Sequence, residues 1–434
     1  MHLTKRCLII LLALVSPICL HAQTSDVKAD PEIWQYGIQA TAGYFNFRNS
    51  LYAESDPDPS GDLSEDWLEY AVKPWVSCEY KSNSSTWFGA ASWVFSGTAA
   101  NASEISGGES SSANFDDLYL GWRYGNPESG QFELAGGRYP YQIAHGFLLS
   151  DGYADGGSRG AVWTNPRNAW APGARFQYQR LGHTLELFYL ERDERPENNP
   201  DTRLSGVNYQ WQSADSVWTA GASYLALKAN ELKPQLDGAD VWNLRLYTRP
   251  RSVPLTIEAE WAHEDNGVAL DATAWYIQPY WSWEDTPWQP VLYYRYAFFE
   301  GDNPNTIANE DFDPLFPAFH DWGSWWQGEI AGEWFISNSN LKTHMLRIHT
   351  EPKDNIGTGL IYFDYSLDQP GSYQGGVTSS DLAKEINWYL DWSANEMLIF
   401  SFILARNNPG PAVEEAFGRS ETFKYAMVFL SFSY

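Results

Sequence analysis

The sequence predicts an all-β protein: a transmembrane antiparallel β-barrel, with 18 strands, whose long extracellular loops fold partly into the lumen. Three observations predict this fold. Apolar and polar residues alternate with a period of two, and short polar turns alternate with long connections. Aromatic residues make up 16% of the chain, yet the mature part has no apolar stretch of about 18 residues that could form a transmembrane helix. A strand between lipid and water needs this alternation, and aromatic residues mark both membrane interfaces. Composition alone leaves a soluble periplasmic β-protein as the alternative.

The first residues are interpreted as a secretory signal peptide, residues 1–22. Lys5 and Arg6 form a positive start, Cys7–Leu20 is apolar, and Ala22 is a small residue suited to cleavage. The apolar stretch is shorter than the about 20 residues of a spanning helix. Residues 23–434 are then expected to form a single outer-membrane β-barrel domain.

Cysteine and charge exclude several classes of protein. Only Cys78 remains after the signal peptide, which excludes a disulfide-stapled fold and a thiolate metal cluster, so we expect no cofactor. The formal charge of −27 becomes −29 without Lys5 and Arg6, which disfavours nucleic-acid binding. Many of the acidic residues lie between the first two strands. They are interpreted as a solvated acidic loop or, alternatively, as carboxylates that hold divalent cations among surface lipopolysaccharides. These residues are Glu54, Asp56, Asp58, Asp62, Glu65 and Asp66.

Turn signals divide the chain into strands joined alternately by short and long connections. The short turns are predicted at Lys81–Thr86, Gly125–Gly130, Arg180–His183, Ser213–Ser216, Arg251–Pro254, Glu284–Trp288, Pro352–Asn355 and Ser393–Glu396. The long loops are predicted at Asn49–Asp66, Gly97–Asn114, Pro140–Pro172, Asp193–Thr202, Ala229–Asp240, Glu264–Leu270, Glu300–Asn340, Asp368–Lys384 and Asn407–Arg419. Short periplasmic turns and long extracellular loops are typical of outer-membrane barrels.

The strand count depends on one ambiguous segment, Trp325–Ile336. Both termini of a single-chain barrel should lie on the periplasmic side, so the number of strands should be even. The segment is therefore interpreted as a short helix inside the loop Glu300–Asn340. Eighteen strands follow, with sixteen as the alternative.

The last strand is typical of an outer-membrane protein. Ala426, Val428, Leu430, Phe432 and Tyr434 share one face of it. A terminal aromatic residue on such a strand is a feature that the outer-membrane assembly machinery recognises, so this machinery is an expected partner. Outer-membrane lipid, lipopolysaccharide and diffusing solutes are the other expected partners, at the bacterial outer membrane.

Alternation also assigns charged residues to the lumen, because an Arg or Lys facing lipid at mid-membrane would cost roughly 2–4 kcal/mol. The bases assigned inward are Lys73, Arg123, Arg175, Arg245, Arg295, Arg347 and His349. The acids assigned inward are Glu69, Glu79, Asp117, Glu186, Glu258, Glu260, Asp364 and Asp391. These side chains either attract charged solutes, as lumenal arginines attract carboxylates, or pair across neighbouring strands and fill the wall.

Two loops are long enough to fold inward as constrictions, Pro140–Pro172 and Glu300–Asn340. Both are rich in Gly, Pro, Asp and aromatic residues, and long loops of this kind are functional or disordered. Their aromatic content argues against disorder. Asp313 is a candidate constriction residue of the second loop.

Short motifs resemble the alginate export family of outer-membrane barrels. They are Gly137–Tyr139, His145–Leu148, Pro172–Tyr178, and Phe312–Pro317 followed by His320. The resemblance implies a monomeric eighteen-stranded pore whose arginine-rich lumen passes an anionic polysaccharide, with Arg138, Arg159 and Arg175 as lumen or constriction residues. The chain differs from that family in its acidity and in Tyr139, where a Gln is usual.

The function expected from the sequence is passive diffusion of small or oligomeric hydrophilic solutes, anionic or saccharide ones among them, through a porin-like channel. Export of an alginate-like polysaccharide is the first alternative, and a surface-binding barrel or adhesin is the second. A hydrolase would need a nucleophile, a base and an orienting acid. His145, Ser150, Asp151 and Asp155 are close in sequence but form no nucleophile elbow, so an enzyme is not expected.

Overall fold

The structure of the protein is a computed structural model that describes residues 32–49, 64–99, 108–318, 327–332, 336–418 and 421–434. The predicted signal peptide and four of the six clustered acids, from Glu54 to Asp62, lie outside the described residues. In the described part of the chain, no helix combines the length and the hydropathy needed to cross a membrane.

Strands form nearly all of the regular structure. In chain order they are β1 Glu32–Arg48, β2 Glu65–Ser82, β3 Ser85–Ala99, β4 Ser110–Asn126, β5 Gly130–Pro140, β6 Ala169–Arg180, β7 His183–Glu191, β8 Arg203–Gln212, β9 Trp218–Lys228, β10 Asp240–Thr248, β11 Leu255–Asp265, β12 Asp271–Ser282, β13 Val291–Phe299, β14 Leu341–Lys353, β15 Ile356–Leu367, β16 Asp381–Asn395, β17 Leu398–Pro409 and β18 Phe423–Ser433. Two short α-helices, α1 Pro370–Tyr373 and α2 Pro411–Phe417, lie in loops.

The eighteen strands form one closed sheet. Each strand pairs antiparallel with its neighbours in the chain, and β1 also pairs with β18, from Gln39 opposite Ser433 to Arg48 opposite Lys424. Ile38 and Tyr434 extend this seam by exchanging two backbone hydrogen bonds of 2.9 Å. Closure pairs the backbone groups that an open sheet would leave bare at its edges. The prediction of an eighteen-stranded antiparallel barrel is confirmed, and the alternative of sixteen strands is wrong.

The predicted turns and loops coincide with the connections between these strands. Eight short turns lie at one end of the barrel, with Glu32 and Tyr434, and nine longer connections lie at the other. We call these the turn end and the loop end. The Trp325–Ile336 segment is no strand where it is described, since Gly328–Gly332 forms a single π-helical turn inside a loop.

The two faces of the wall differ as predicted. Trp34, Tyr36 and Leu120 are 61%, 77% and 77% exposed on the outward face, whereas Arg295 on the inward face is 1% exposed. One inward assignment is wrong, that of Asp364. It lies on the outward face beside the exposed Tyr362, opposite His344 and Lys384 near the loop end, while the neighbouring Phe363 is buried. The penalty for a charge that faces lipid falls near the rim, and Lys384 lies opposite on the next strand.

Two long loops fold into the barrel, as predicted. Loop A, residues 141–168, joins β5 to β6, and loop B, residues 300–340, joins β13 to β14. Leu149 of loop A and Phe316 of loop B form a parallel bridge. Phe147 of loop A packs against Tyr276 of β12, with ring centroids 5.6 Å apart. The buried core of the molecule therefore lies inside the barrel, between wall and loops.

Candidate pore constriction

Carboxylates on the wall hold loop A in place. Glu69 of β2 accepts hydrogen bonds from the backbone N–H groups of Trp163 and Thr164, at 2.8 and 3.0 Å. Asp116 of β4 accepts from those of Asn168 and Ala169, at 3.2 and 3.1 Å. Both carboxylates are fully buried. Hydrogen bonds to an ionised acceptor are about twice as strong as neutral ones, so these four contacts fix the loop against one arc of the wall.

A β-bulge places two acids on the lumenal face of β4. Ala91 lies opposite Leu118 and Trp93 opposite Phe115, so Ser92 alone faces both Asp116 and Asp117. A bulge of this kind interrupts the alternation of side chains, and both carboxylates then reach Lys73, at 2.5 and 3.1 Å. Lys73 therefore lies on the inward face, as predicted. Strict alternation predicted Asp117 but missed Asp116.

Arg138 and Arg159 meet at one acid, although 21 residues of sequence separate them. Arg138 donates to the carboxylate of Asp193 at 2.5 Å, and Arg159 to its other oxygen at 2.9 Å. Arg159 also lies 4.5 Å from the ring centroid of Tyr153, which Arg167 contacts from 4.6 Å. Asp193 is the second residue after the end of β7 and carries no sequence signal of this role. The two arginines therefore share one carboxylate, which fixes their positions and balances half of their combined charge.

Three other predicted arginines belong to one polar belt on the wall. Arg123 donates to Glu133 at 2.7 Å, and Arg175 donates to the same glutamate and to Glu186, the latter at 3.1 Å. Asn208 and Ser223 continue the belt to Arg245 through hydrogen bonds of 2.7–2.9 Å. Asn243 then connects Arg245 to Glu260, to which it donates at 2.9 Å. The belt crosses eight consecutive strands, β4 to β11.

The sequence left two interpretations of the lumenal charges, attraction of solutes and pairing across neighbouring strands. The contacts within the belt favour pairing on this arc of the wall. The acids Glu133 and Glu186 hold Arg175 between them, with side chains only 5%, 8% and 16% exposed. Arg123 and Arg175 thus pair across strands and help to build the wall, which was the second alternative. Period-two alternation along β5 would have found Glu133, since Gln131, Glu133 and Ala135 share one face.

Arg295 and Arg347 lie on another arc, on β13 and β14. Arg347 donates to the hydroxyl of Tyr389 at 2.8 Å and lies 4.9 Å from the ring centroid of Tyr293. His349 shares the same hydroxyl at 2.6 Å. Arg295 is fully buried. Arg347 therefore lies among aromatic rings, and both predicted residues lie on strands outside the belt.

The predicted acids Glu258 and Glu260 lie on the inward face of β11, and Asp313 reaches the loop end of the same strand. Glu258 accepts a hydrogen bond of 3.1 Å from Gln278. Asp313 of loop B pairs with Lys233 at 3.1 Å and donates its backbone N–H to Glu264 at 2.8 Å. Asp313 thus joins two loops and the wall. His320, the last residue of the motifs quoted above, lies outside the described residues.

A polar cavity of about 300 Å³ opens where loop A meets the loop between β7 and β8. Its lining includes Asp155, Arg192, Glu194 and Lys233. Desolvation raises the pKa of the Asp151 carboxyl to about 6, although Arg192, 3.8 Å away, favours its charged form. Desolvation also raises the pKa of Asp155 well above its ordinary value, and Asp151 adds to this. Burial therefore favours the neutral form of Asp155, which lines the cavity, and of Asp151, which faces the lining residue Arg192.

The residues weighed for hydrolysis do not form a catalytic arrangement around Ser150. Its hydroxyl donates to the Gln142 side chain at 3.2 Å, and Asp151 faces Arg192. Among the residues that the structure describes, no group of three or more His, Cys, Asp and Glu side chains is placed to hold a metal ion.

The closed barrel with loops folded into its lumen is the fold of outer-membrane porins. A BenF-like porin from Pseudomonas fluorescens Pf-5 matches with a TM-score of 0.61 at 11% identity, over 92% of this chain and 98% of that one. OccAB4 of Acinetobacter baumannii matches with a TM-score of 0.60 at 11% identity, over 94% and 99%. OccD3 (OpdP) of Pseudomonas aeruginosa matches with a TM-score of 0.56 at 11% identity, over 92% and 91%.

Sequence comparison adds no closer relative, since no family model and no curated protein match the chain. The structural matches support the general prediction of an outer-membrane porin barrel. They do not support its narrower assignment to the alginate export family, because the matching structures named above are porins of other kinds.

Proposed function

We propose that the protein is an outer-membrane channel for passive diffusion of small hydrophilic solutes. The observation that carries the proposal is the combination of a closed, outwardly apolar barrel with a charged lumen narrowed by loops A and B. About eighteen strands enclose an aqueous lumen, whereas eight would be filled by side chains. The turn end is then periplasmic and the loop end extracellular.

Small solutes fit this lumen better than a polymer. Loop A is fixed to β2 and β4 at one arc and packs against β12 at another, so it crosses a large part of the lumen. Export of an alginate-like polysaccharide, which the sequence motifs suggested, would also need arginines free to bind its carboxylates. Arg138, Arg159 and Arg175 are instead held by Asp193, Glu133 and Glu186.

The candidate pore-lining or constriction residues are those three arginines and eight further residues. The eight are Lys73, Arg123, Arg245, Arg295, Arg347, Glu258, Glu260 and Asp313. Balanced pairing on the belt favours selection by size and polarity over a strong preference for anions. We propose no catalytic role for any of these residues, and no cofactor. Recognition of the strand ending at Tyr434 by the outer-membrane assembly machinery stays a prediction.

Planar-bilayer conductance tests the proposed function. The purified full-length barrel should give discrete current steps, and small saccharides or amino acids added to one side should reduce them. An adhesin with a closed lumen would give no steps under the same conditions. A protein that keeps its heat-resistant fold in detergent but never conducts would contradict the proposal.

A further inference from the structure

The outer surface of the barrel carries a row of three cations beside the seam. Arg48, Lys424 and Arg406 lie at the loop ends of β1, β18 and β17. Arg48 is directly opposite Lys424, and Lys424 is directly opposite Arg406. All three are exposed, while their chain neighbours Phe47, Tyr425 and Ala405 are buried. The three side chains therefore project together from the outward face, and we call them the Arg48 row.

This arrangement is unfavourable for the isolated protein. Side chains directly opposite on neighbouring strands have Cβ atoms about 4.5–5.5 Å apart, and like charges in such pairs destabilise a sheet. No described carboxylate forms an ion pair with any member of the row, and Arg406 only donates to the Asn408 side chain, at 3.1 Å. Among the residues that the structure describes, the triple charge has no acidic partner, and an anion from outside the chain would balance it.

Other outward cations at the same end of the barrel have acids beside them. Arg203 and Lys228 face each other across β8 and β9, but Glu191 lies 3.7 Å from Arg203. Lys342 pairs with Asp368 at 2.7 Å, and Lys384 lies opposite Asp364. The Arg48 row thus departs from the way this chain balances charge elsewhere along its rim.

The surroundings of the row fit a lipid headgroup. A shallow groove of about 290 Å³ runs between the three cations, with Asn46, Leu404 and Ala426 in its lining. Immediately toward the turn end, the outward surface is apolar, with Leu404, Val428 and Tyr44 exposed by 54%, 44% and 43%. A molecule bound there would meet positive charge at its head and an apolar wall along its chains.

We propose that the Arg48 row binds the phosphate of a phosphorylated glycolipid of the outer leaflet, the lipid A part of lipopolysaccharide. Arginine presents planar N–H donors that match phosphate oxygens in pairs, and lysine adds a point charge. On neighbouring strands about 4.8 Å apart, the three cations span on the order of 10 Å, enough to surround one headgroup. The inference rests on the proposed orientation, in which the loop end is extracellular.

Native mass spectrometry of the full-length protein in detergent, titrated with bisphosphorylated lipid A, tests this site. The test variant is Arg48→Gln with Arg406→Gln and Lys424→Gln. The matched control, Lys81→Gln with Arg180→Gln and Arg251→Gln, removes the same charge from the exposed turn end. Losing three charge-assisted contacts should weaken lipid A binding by about tenfold or more in the test variant and leave the control as the wild type. Equal binding by all three proteins overturns the proposal.

Two further arms identify the ligand and guard against misfolding. Dephosphorylated lipid A should bind wild type and test variant alike, and inorganic phosphate should not compete with lipid A. Competition by phosphate alone would make the row a site for free anions and refute the proposal that it binds a lipid.

Without lipid A, the Tm of the test variant should be equal to that of the wild type or above it, because repulsion between the three cations is relieved. Added lipid A should raise only the Tm of the wild type and of the control. Single-channel conductance should be unchanged in the test variant. A barrel that binds lipid A through the row without conducting would refute the proposed function and leave this inference standing.

Discussion

At the scale of single residues, the lumen of this barrel is organised by shared carboxylates. Asp193 holds Arg138 and Arg159, and Glu133 holds Arg123 and Arg175. In surroundings of low dielectric constant, an acid that binds two guanidinium groups keeps both in fixed positions. Removing Glu133, whose side chain is 5% exposed, would leave Arg175 without one of its two acidic partners, and breaking a buried ion pair costs about 3–5 kcal/mol. Function and stability are therefore coupled at these residues.

The first prediction concerns the charge selectivity of the belt. The sequence led us to expect that neutralising Arg175 and Arg295 together lowers anion permeability. In the structure Arg175 belongs to the belt and Arg295 is fully buried, so most of the effect should come from Arg175→Gln. Reversal potentials in a salt gradient measure it, with Arg249→Gln at the exposed turn end as the control.

Unchanged reversal potentials in Arg175→Gln would refute that prediction. The double variant Arg175→Gln with Glu133→Gln distinguishes an effect of lumenal charge on permeability from an effect of lost stability. It removes one acid together with the base, so stability in urea should recover by about half of the loss in the single variant, on the order of 2 kcal/mol.

The second prediction concerns pH. Since the pKa of Asp151 is raised to about 6, this acid is charged at pH 7.5 and mostly neutral at pH 5. Cation permeability relative to anion permeability should fall as the pH drops through 6, because a negative charge disappears beside the polar cavity, where Asp151 faces Arg192. Reversal potentials at a series of pH values measure this change. Asp151→Asn should behave at pH 7.5 as the wild type does at pH 5, and an unshifted profile in this variant would assign the titration to another group.

At the scale of elements, loop A owes its position to wall carboxylates rather than to helices or strands of its own. Glu69 accepts two backbone N–H groups of the loop, and Asp116 accepts those of Asn168, the last residue of the loop, and Ala169, the first residue of β6. Backbone donors in a lumen without such partners would be satisfied by water, and the loop would be free to leave the wall. The β-bulge of β4 is the element that turns Asp116 toward the loop.

The third prediction follows from this anchoring. Glu69→Ala should release loop A from β2, since each hydrogen bond to a charged group contributes about 1.5–3 kcal/mol. A loosened loop widens or destabilises the constriction, so single-channel conductance or its fluctuation should increase. Glu79→Ala on the same inward face of β2, near the turn end, is the control and should conduct as the wild type does. A released loop seen by proteolysis without any change in current would mean that loop A does not limit flow.

At the scale of the whole molecule, the barrel is a wall with an apolar outer face and a polar inner face. Closure through β1 and β18 satisfies the backbone, and the loops fill part of the space that eighteen strands enclose. The stability of such a protein depends on its lipid-facing side chains as much as on its lumenal core.

The fourth prediction tests which face meets lipid. Val207 and Gln210 lie on the same strand, β8, with Val207 outward and Gln210 inward. Val207→Arg should lower the free energy of unfolding in lipid vesicles by roughly 2–4 kcal/mol, and Gln210→Arg should change it by less than about 1 kcal/mol. Urea titration monitored by tryptophan fluorescence measures both. Equal losses in the two variants would contradict the assignment of faces.

Much of the architecture could be predicted because its cause is local. A strand that separates two environments repeats every two residues, and turn residues bound it, so the strands followed from short windows of sequence, except that Trp325–Ile336 needed the parity of the whole barrel. Asp364 was misassigned because the lipid penalty that supports an inward charge weakens near the rim, where Lys384 lies opposite. Asp116 was missed because a bulge shifts the alternation by one residue.

By itself the sequence determined the closed barrel, most of its turns and loops and the lipid-facing side of most strands, since period-two patterning and the need to pair every backbone group leave few other solutions. Only the tertiary structure decided how the lumenal charges are used. Arg138 and Asp193 are 55 residues apart, and Glu69 and Thr164 are 95 apart, so their contacts depend on strand register and on the path of loops across the lumen. Short-range patterns carry no information about such long-range pairing, and the constriction is built from it.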